Sequence, residues 1–496
     1  MKTVVGVQTM RQSDASTIAN GVSSKELMYR AGKGIFESYP WRGAVAIACG
    51  SGNNAGDGYV LALCLQEAKI PCTLVLLAEQ FSPDGAYYFQ KCRDVGIKTV
   101  IYSPDFSFSP YAEIVDCIFG TGFHGEVVGA AAELIRAINE SGKTVISADI
   151  NSGLDGENGM ATLCVRSDLT VSIGSYKSGH FLGLAKDVIG SLCNVDIGIG
   201  IVGEAYCLME QEDVKANFPP RRQSTHKGDY GYVSVMGGCT RYAGAVKLAN
   251  MSCAALRAGC GVAQLIVPSS LVTAVSPYLL ESTLFPFPER DGQMMFDPDA
   301  IDRALEKQKA LAVGMGWGKS AEYARILEYI LTEKSLSLVI DADGLNTLAQ
   351  MPTELLKRTA CKVILTPHLK EFERLSGHSI EQIQRDPIGI AKAYAKENGV
   401  CVLLKGACTV VTDGEDVYLI DRGCAGMATA GSGDVLSGIL AGLLGFAPPN
   451  ALTVACGAYV AGRAGELAQS AVGEYGMLAS DTVSHISKAI QEITKA

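Results

Sequence analysis

The 496-residue sequence contains no CxxC pair and no apolar run long enough to cross a bilayer. Its longest apolar stretch, residues 435–447, ends at Pro448 and Pro449, short of the roughly 20 residues that a membrane-spanning helix needs. The sixteen cysteines are scattered, mostly through apolar segments in which a thiol acts as a small hydrophobic group. We therefore expect reduced cysteines rather than a disulfide framework, and no membrane span.

Positive charge is also scarce, with 42 lysines and arginines against 52 acidic residues and a net charge of -10. A surface that reads nucleic acid needs clustered lysine and arginine, so a nucleic-acid partner is not expected. The first residues, MKTVVGVQTMRQSDAS, lack the long apolar segment of a secretory signal. These observations predict a cytoplasmic protein in which backbone amides and a few cations hold any anionic ligand.

Short β-branched runs alternate with longer helical segments on both sides of one charged, proline-containing passage at residues 211–224. The runs are GAVAIACG, PCTLVLLA, EIVDCIFG and KTVISADI before it, and YGYVSVMGG, GVAQLIVP, LSLVIDAD, KVILTPH and VCVLLKG after it. Continuous apolar strands separated by helices are typical of parallel sheets covered on both faces. The passage predicts a linker, and the chain is expected to form two consecutive three-layer α/β domains, residues 1–212 and 213–496.

In the first domain, acidic residues follow three of the predicted strands. Gly50, at the end of GAVAIACG, with Gly52 and Ala55 in the following SGNNAGDGY, matches a dinucleotide-binding fingerprint that ends close to Asp57. Asp116 and Asp149 end two further strands, beside glycine-rich loops. Each could be a turn or cap residue, but the carboxyl ends of parallel strands meet at one edge of a sheet, which favours a ligand pocket.

These segments, SGNNAGDGY, DCIFGTGFHGE and ISADINSGLDG, together with SSKELMYRAG, resemble the YjeF-type N-terminal domain, whose catalytic members are NAD(P)H-hydrate epimerases. The likeness covers roughly residues 1–210 and implies a Rossmann-like fold. It implies that Asp149 acts near the reacting ring and that Asn54, Asp116 and Ser152 bind a potassium ion. It further implies that the hydrated cofactor contacts Asn53, Asn54, Ala55, Gly56, Asp57, Gly120, Thr121, Gly122, Phe123, His124, Gly125 and Glu126. Some relatives are interaction modules, but Asp57 and Asp149 favour catalysis here.

The second domain contains GMATAGSGD followed directly by the apolar run VLSGILAGLLGFA. Small residues allow close approach of the backbone, and the apolar run predicts a buried helix that begins near Ser432. Asp434 then lies in the first turn, where unpaired amides attract an anion. On the local sequence alone, Asp434 is equally well explained as a helix cap in a glycine-rich turn.

Seven motifs in order resemble the ribokinase-like superfamily, most closely the NAD(P)H-hydrate dehydratase domain fused behind the epimerase domain. They are HKGDYGYVSVMGG, YAGAVKLA, AALRAGCGVAQLIVP, VIDADGLN, ILTPHLKEFERL, VLLKGACTVV and GMATAGSGDVLSGILAG. The resemblance places Ala245, Gly316 and His368 at the hydrated cofactor. It places Lys405, Gly406, Ala407, Cys408 and Thr409 along the nucleotide, and Gly431, Ser432 and Gly433 at the transferred phosphoryl group.

In this domain we expect Asp434 to act as general base and the helix amides to stabilise the phosphoryl group. Asp341 and Asp343 at a strand end are candidates to organise Mg²⁺ through water. Two local alternatives stay open: Lys405 as a surface lysine that ends a strand, and His368 as a capping histidine. The nucleotide is expected to be ADP or ATP, with ADP the commoner choice in relatives of this fused type.

The two resemblances together predict repair of hydrated NADH and NADPH. The first domain would interconvert the R and S hydrates, by ring opening or by loss of the C6 hydroxyl. The second would phosphorylate the ring hydroxyl of the S hydrate and eliminate phosphate. The alternative is a small-molecule kinase for a vitamin precursor, joined to a non-catalytic binding module. Family likeness also suggests a homo-oligomer.

Overall fold

The computed structural model describes residues 1–218, 220–254 and 257–495. It divides into two compact units, one of residues 3–206 and the other of residues 1–2 with residues 207 onwards. The division falls between Tyr206 and Cys207, a few residues before the predicted boundary between residues 212 and 213. Ala255 and Leu256, which belong to the motif AALRAGCGVAQLIVP, lie outside the described residues.

The N-terminal unit alternates strands and helices. Its strands are β1 (Lys2–Val5), β2 (Val45–Cys49), β3 (Cys72–Leu76), β4 (Lys98–Ile101), β5 (Glu113–Cys117), β6 (Thr144–Ala148), β7 (Ser167–Ile173), β8 (Tyr176–Lys177) and β9 (Ile189–Val195). Its helices are α1 (Val7–Ala19), α2 (Ser24–Glu37), α3 (Asn53–Glu67), α4 (Pro83–Asp94), α5 (Gly129–Glu140) and α6 (Ala185–Val188).

Its main sheet has the strand order β4-β3-β2-β5-β6-β7-β9, and all of its pairs are parallel. Strand β2 is wholly buried, and its alternate residues enter two different hydrophobic clusters. Val45, Ile47 and Cys49 pack with residues of α2, α3 and α4, whereas Ala46 and Ala48 pack with residues of α5. This alternation gives helix, sheet and helix layers, which confirms the predicted three-layer α/β architecture.

The order of the strands reverses beside β2, which pairs with β3 on one side and β5 on the other. Ligands bind at such a switch point, outside the carboxyl ends of the strands. The chain is very close-packed there, because a Cβ atom on Gly50 would lie 2.0 Å from the carbonyl oxygen of Ile118. Glycine at this position lets the loops after β2 and β5 meet.

The C-terminal unit is larger. Its strands are β10 (Ala205–Leu208), β11 (Tyr232–Met236), β12 (Val262–Pro268), β13 (Thr283–Phe287), β14 (Glu289–Arg290), β15 (Gln293–Met294), β16 (Ala310–Val313), β17 (Ser337–Ile340), β18 (Lys362–Leu365), β19 (Cys401–Leu404), β20 (Thr409–Thr412) and β21 (Val417–Ile420). Its helices are α7 (Gln211–Asn217), α8 (Ala243–Ala254), α9 (Val272–Val275), α10 (Pro298–Leu305), α11 (Ala321–Glu333), α12 (Asp343–Leu348), α13 (Glu354–Arg358), α14 (Leu369–Ser376), α15 (Ile380–Arg385), α16 (Pro387–Asn398), α17 (Ser432–Leu444), α18 (Ala451–Val472) and α19 (Ala479–Lys495).

The sheet of this unit runs in the order β13-β12-β11-β16-β17-β18-β19-β20-β21-β10. The pairs from β13 to β19 are parallel, and β20 is antiparallel to both β19 and β21. Helix α17 is almost entirely buried after its first turn, and residues of α17 and α18 share one large hydrophobic cluster with residues of β11 and β12. The buried helix predicted from residue 432 onwards is thus confirmed.

The passage expected to be a linker begins instead with helix α7. The backbone amide of Glu210 donates to Oδ2 of Asp213 at 2.9 Å and so closes a capping box at the start of the helix. Val214 is fully buried in the cluster around α17 and α18. A single buried residue in a charged segment leaves little hydrophobic periodicity, which explains why the sequence did not reveal the helix.

Within the described residues, no helix is long and apolar enough to cross a membrane.

Candidate active sites

A cavity of about 700 Å³ lies at the switch point of the N-terminal sheet, within the range of about 300–1,000 Å³ that is common for ligand pockets. The loops that follow β2, β5 and β6 form much of its wall. Nine of the predicted ligand residues line it: Asn53, Asn54, Asp57, Gly120, Thr121, Gly122, Phe123, His124 and Asp149. The sequence therefore located this cavity correctly.

Four other predicted ligand residues, Ala55, Gly56, Gly125 and Glu126, do not line the cavity among the described residues. Helix α3 begins at Asn53, and its third and fourth positions, Ala55 and Gly56, turn into the protein. Ala55 is 1% exposed within the hydrophobic core. A Cβ atom on Gly56 would lie 2.5 Å from the sulfur of Met28. The methyl group of Ala55 therefore points into the core rather than narrowing the pocket.

Asp149 follows β6 directly and has a left-handed backbone, with φ of +63°. Such a conformation costs roughly 1–2 kcal/mol for a residue other than glycine, although aspartate tolerates it better than most. The Asp149 carboxylate forms an ion pair with the ammonium group of Lys177, which is 1% exposed. The same ammonium donates to the carbonyl oxygen of Ile173 at 2.7 Å. Asp149 is thus fixed at the cavity wall with a cation beside it.

Two further carboxyl groups face this ion pair. Burial, and secondarily the negative charge of Asp149, raise the pKa of Asp57 well above its usual value. Burial also raises the pKa of Asp14 to about 6, although Lys177 opposes the shift. A carboxyl group whose pKa is raised by burial is suited to the role of a general acid. Asp57 holds its proton to a higher pH than an exposed aspartate does, so it is the candidate proton donor.

Sequence reasoning missed Asp14 and Lys177. Asp14 lies in the middle of α1 and has no glycine loop or strand end next to it. Lys177 belongs to the two-residue strand β8, which pairs with β1. The position of Lys177 soon after the buried strand β7 was the one available signal, and it was weak because a lysine after a strand is usually solvated.

The predicted potassium ligands Asn54, Asp116 and Ser152 do lie together. The buried carboxylate of Asp116 accepts hydrogen bonds from the Ser152 hydroxyl at 2.5 Å and from the Ser152 amide at 2.8 Å. Ser147 and the amide of Ile118 donate to it as well, at 2.9 and 3.2 Å. Most of the acceptor capacity of Asp116 is therefore used within the protein.

Asn54 connects this cluster of oxygen atoms to the glycine-rich loop that follows β5. Its Nδ2 atom donates to the carbonyl oxygen of Phe119 at 2.9 Å. Its Oδ1 atom is buried without a hydrogen-bond partner in the described part of the chain. An unsatisfied buried acceptor is costly, so this atom marks a place where a donor or a cation fits.

In the C-terminal unit, α17 begins at Ser432 as the sequence predicts, and Asp434 lies in its first turn. Gly431 precedes the helix with φ of +99°, and a Cβ atom there would lie 2.5 Å from a methyl carbon of Leu248. Glycine is thus required by both conformation and space. Burial first, and then the charge of Asp341, raise the pKa of Asp434 to about 7. A carboxyl group with this pKa exchanges a proton readily near neutral pH.

Lys405 directly follows β19, but it is not a solvated surface lysine. Its side chain is 23% exposed, and Nζ lies 2.9 Å from Oδ1 of Asp341 and 3.7 Å from Oε2 of Glu371. Burial alone would lower the pKa of Lys405, but the two carboxylates raise it overall. The charge of Lys405 is therefore already shared with two carboxylates before any phosphate binds.

Asp341 is correspondingly committed to the protein. It is 2% exposed, and Ser437 of α17 donates to its Oδ2 atom at 2.7 Å. Burial opposes ionisation, but Lys405 and these hydrogen bonds hold the pKa of Asp341 below its usual value. Asp343 accepts a hydrogen bond from the amide of Gly318 at 2.8 Å. Asp341 is thus better placed to anchor Lys405 than to bind magnesium through water.

The segment Lys405–Thr409 forms the turn between β19 and β20. Gly406 and Ala407 are exposed, whereas the side chain of Cys408 is 5% exposed. Thr409 is the first residue of β20. Any nucleotide contact by Cys408 would therefore be made through the backbone.

His368 caps α14, which was the alternative reading of this residue. Its Nδ1 atom accepts hydrogen bonds from the amides of Lys370 and Glu371, at 3.0 and 3.3 Å. In return, the His368 amide donates to Oε2 of Glu371 at 2.8 Å, and the same carboxylate faces Lys405. The capping role is confirmed, and half of the His368 side chain remains exposed for a further contact.

Gly316 and Ala245 are adjacent, as a shared binding role requires. Gly316 has φ of +66°, and a Cβ atom there would lie 3.3 Å from the Cβ atom of Ala245. The same atom would lie 2.6 Å from the carbonyl oxygen of Tyr242, so glycine is required. The fold therefore brings together the loop after β16 and the start of α8.

Comparison with known families gives matches to both units. Residues 24–179 match the family described as YjeF-related protein N-terminus, and residues 233–491 match the family described as NAD(P)H-hydrate dehydratase. The chain is 33% identical to the bifunctional NAD(P)H-hydrate repair enzyme of Moorella thermoacetica, over 95% of this chain and 93% of that protein. It is 32% identical to the enzyme of the same name from Coxiella burnetii, over 96% and 97%.

Among solved structures, the chain is similar to the ADP/ATP-dependent NAD(P)H-hydrate dehydratase from Bacillus subtilis, which was co-crystallized with ATP/Mg²⁺. The TM-score is 0.50 at 25% sequence identity, and the match covers 58% of this chain and 99% of that one. This similarity agrees with the predicted ribokinase-like fold.

Proposed function

Because the chain belongs to the family of bifunctional NAD(P)H-hydrate repair enzymes, we propose that each of its two units carries one of the two repair activities. The N-terminal unit interconverts the R and S hydrates of NADH and NADPH. The C-terminal unit uses an adenine nucleotide to convert the S hydrate back to NADH or NADPH. The full-length relatives favour this function over a vitamin-precursor kinase with a non-catalytic N-terminal module.

The observation that carries the C-terminal activity is the position of Asp434. Its carboxyl group has a pKa raised to about 7 and lies in the first turn of α17. Backbone amides with no intrahelical partner lie in the same turn and carry partial positive charge. A proton acceptor and an anion-binding site are therefore adjacent, as transfer of a phosphoryl group to a hydroxyl requires.

The reaction then proceeds in two steps. Asp434 takes the proton of the ring hydroxyl, and the oxygen forms a bond to the terminal phosphorus of the nucleotide while the bond from that phosphorus to the nucleotide breaks. The amides of Gly431, Ser432 and Gly433 stabilise the negative charge on the phosphoryl oxygens. Loss of a ring proton and of inorganic phosphate then restores the double bond. Phosphate leaves far more readily than hydroxide, which is the chemical reason to use a nucleotide.

For the nucleotide we propose ADP or ATP with Mg²⁺, because the similar Bacillus subtilis dehydratase is ADP/ATP-dependent and was co-crystallized with ATP/Mg²⁺. Among the described residues, no group of three or more His, Cys, Asp or Glu side chains is arranged to hold a metal ion by itself. That fits Mg²⁺, which is usually bound by substrate phosphates, water and one or two carboxylates. Asp343 and Asp434 are the carboxylates that we propose for such a site, and the ion would neutralise charge on the phosphates.

In the N-terminal cavity, Asp149 assists the chemistry of the hydrated ring and Asp57 supplies the proton. Ring opening and loss of the C6 hydroxyl both need a proton placed on a leaving atom and later removed. Lys177 places a positive charge beside the Asp149 carboxylate through their ion pair. A carboxyl group that burial keeps protonated to higher pH, Asp57, and a carboxylate paired with a cation, Asp149, thus share one pocket, which either route can use.

A potassium ion fits the cluster of oxygen atoms of Asn54, Asp116 and Ser152 beside this cavity. In the described part of the chain, Oδ1 of Asn54 is buried without a hydrogen-bond partner. Asn54 Oδ1 and the Ser152 hydroxyl would hold the ion, while Asp116 supplies compensating charge. The ion would fix the glycine loop that contacts the substrate.

Family likeness also supports a homo-oligomer in the cytoplasm, and light scattering of the purified chain tests the oligomer.

The proposed function is tested with purified R and S hydrates of NADH, with ADP or ATP and Mg²⁺. We expect the S hydrate to yield NADH, the nucleotide product and free phosphate, and the R hydrate to be consumed through the S form. A phosphorylated product that accumulates would indicate a kinase and overturn the dehydratase. Failure to speed exchange between the hydrates would overturn the epimerase.

A further inference from the structure

His180 connects the two charged residues of the N-terminal site through the backbone. It is 3% exposed and lies three residues after Lys177. Its Nδ1 atom accepts a hydrogen bond from the Lys177 amide at 3.0 Å. Its Nε2 atom lies 2.8 Å from the carbonyl oxygen of Asp149. One imidazole ring therefore contacts the main chain on both sides of the ion pair.

These contacts determine the state of the ring. Because the Lys177 amide is a donor, Nδ1 must carry a lone pair, and because a carbonyl oxygen is an acceptor, Nε2 must carry the hydrogen. Burial and the nearby Lys177 charge lower the pKa of His180 to about 4. His180 is thus a neutral ring with its hydrogen on Nε2.

The hydrogen bond from His180 Nε2 is made to Asp149, a residue whose backbone conformation is strained. Asp149 has a left-handed φ of +63°, and its amide donates to the carbonyl oxygen of Val171 at 2.8 Å. The His180 contact holds the carbonyl group on the other side of the same α-carbon. Strained conformations of this kind persist where the surroundings hold them, often at functional sites.

We propose that His180 is the positioning residue of the N-terminal active site, holding the backbones of Asp149 and Lys177 so that their carboxylate and ammonium groups meet at the cavity wall. This inference rests on the proposed epimerase function. Among the described residues, His180 is not one of those that line the cavity, so it does not contact the cavity itself. Its effect reaches the substrate through Asp149 and Lys177.

A leucine would fill the same space as His180 but make neither hydrogen bond, whereas a glutamine can donate and accept at nearly the same positions. We expect His180→Leu to lower kcat for epimerisation by about ten- to a hundredfold, the scale of a small misplacement of catalytic groups, with KM nearly unchanged. His180→Gln should recover most of the loss. Phe181→Leu is the matched control. It also removes buried volume, at the position next to His180, but the phenylalanine side chain has no hydrogen bond to lose.

The pH profile separates positioning from simple loss of stability. Lys177 lowers the pKa of Asp14 and Asp57, and it pairs with Asp149. If the ammonium moves away in His180→Leu, the pKa values of Asp14 and Asp57 rise, so the pH profile of kcat moves to higher pH. Phe181→Leu should melt at a lower temperature with an unchanged profile. Wild-type kcat and profile in His180→Leu would overturn the proposal.

A measurement on the wild-type chain does not depend on how the variants fold. Nitrogen-15 shifts of the imidazole groups, with the His180 signals assigned by their absence from His180→Gln, should show hydrogen on Nε2 from pH 5.5 to 8. Hydrogen on Nδ1, or a charged ring in this range, would contradict the proposal even if epimerisation is confirmed. A wild-type chain that lacks epimerase activity would instead contradict the proposed function.

Discussion

The ammonium nitrogen of Lys405 lies 2.9 Å from Oδ1 of Asp341, directly beneath the first turn of α17. A Cβ atom on Gly433 would lie 3.5 Å from both Lys405 Nζ and Asp341 Oδ2. Ser437, one turn further along α17, donates to Asp341 as well. This buried pair therefore supports the helix start on which the proposed phosphoryl transfer depends, and it brings together residues from two different strand ends.

Lys405→Met should destabilise the C-terminal unit by about 3–5 kcal/mol, because it leaves the buried Asp341 carboxylate without its cation. Urea unfolding at neutral pH measures the change. The double variant with Asp341→Asn should recover much of the loss. Lys396→Met, which breaks the solvent-exposed pair with Glu415, is the control and should have little effect. Equal effects of the two single variants would show that the Lys405 pair is not a buried one.

Dehydration should depend on pH through Asp434. Since burial raises the pKa of this carboxyl group to about 7, its basic form is lost as the pH falls below that value. We expect kcat/KM for the S hydrate to fall about tenfold per pH unit below the pKa, and to be level above it. The R/S exchange measured on the same preparation should not share this limb. A rate that is flat from pH 5 to 8 would exclude Asp434 as the titrating base.

The same shift affects stability. A carboxyl group with a raised pKa in the folded state stabilises the fold while it is protonated, and this contribution is lost as the pH rises from about 4 to about 7. Asp434→Asn cannot ionise, so its stability relative to the wild-type chain should increase over this range. Melting temperatures of both proteins at pH 4.5 and pH 8 test the sign. A variant that becomes relatively less stable at pH 8 would contradict the assigned shift.

Asp149→Asn should abolish acceleration of R/S exchange and leave dehydration of the S hydrate intact. Asparagine keeps the shape and tolerates the left-handed backbone, so the loss would report the charge. Asp187→Asn, at an exposed aspartate of the same unit, is the matched control. Normal exchange by the Asp149 variant would reduce Asp149 to a structural residue at a strand end.

The two units should also act apart. A fragment of residues 3–204 should fold and exchange the hydrates, and a fragment from residue 205 onwards, which keeps strand β10 whole, should fold and dehydrate the S form. A cut between residues 212 and 213, as the sequence suggested, would divide α7 and remove the Glu210 side of its capping box. We therefore expect that cut to yield a less stable C-terminal fragment. If neither pair of fragments is active while the full chain is, the units do not function independently.

Local chemistry explains what the sequence predicted well. The start of α17 was readable because small residues, a carboxylate and an apolar run follow one another directly. The cavity wall at Asn53 and Asp57, and the strand end at Asp149, were readable for the same reason. Each of these features depends on residues that are adjacent in the chain.

Contacts between distant segments were not readable. Lys405 and Asp341 are 64 residues apart, so their ion pair has no local signal in the sequence. Lys177 reaches Asp149 across 28 residues, from a strand of two residues. Ala55 was expected at the ligand, but its side chain lies in the core. The rotation of each residue about the axis of α3, which composition does not reveal, decides which side chains face the cavity.

The central claim is tested most directly by turnover of the S hydrate with Asp434→Asn, at saturating nucleotide and Mg²⁺. Asparagine still fits the first turn of α17 but cannot accept the proton of the ring hydroxyl. We expect a folded protein that still exchanges the R and S hydrates and dehydrates the S form at least about a hundredfold more slowly. Near-normal dehydration by a variant with an unchanged melting temperature would contradict the proposed role of Asp434 and the phosphoryl-transfer mechanism built on it.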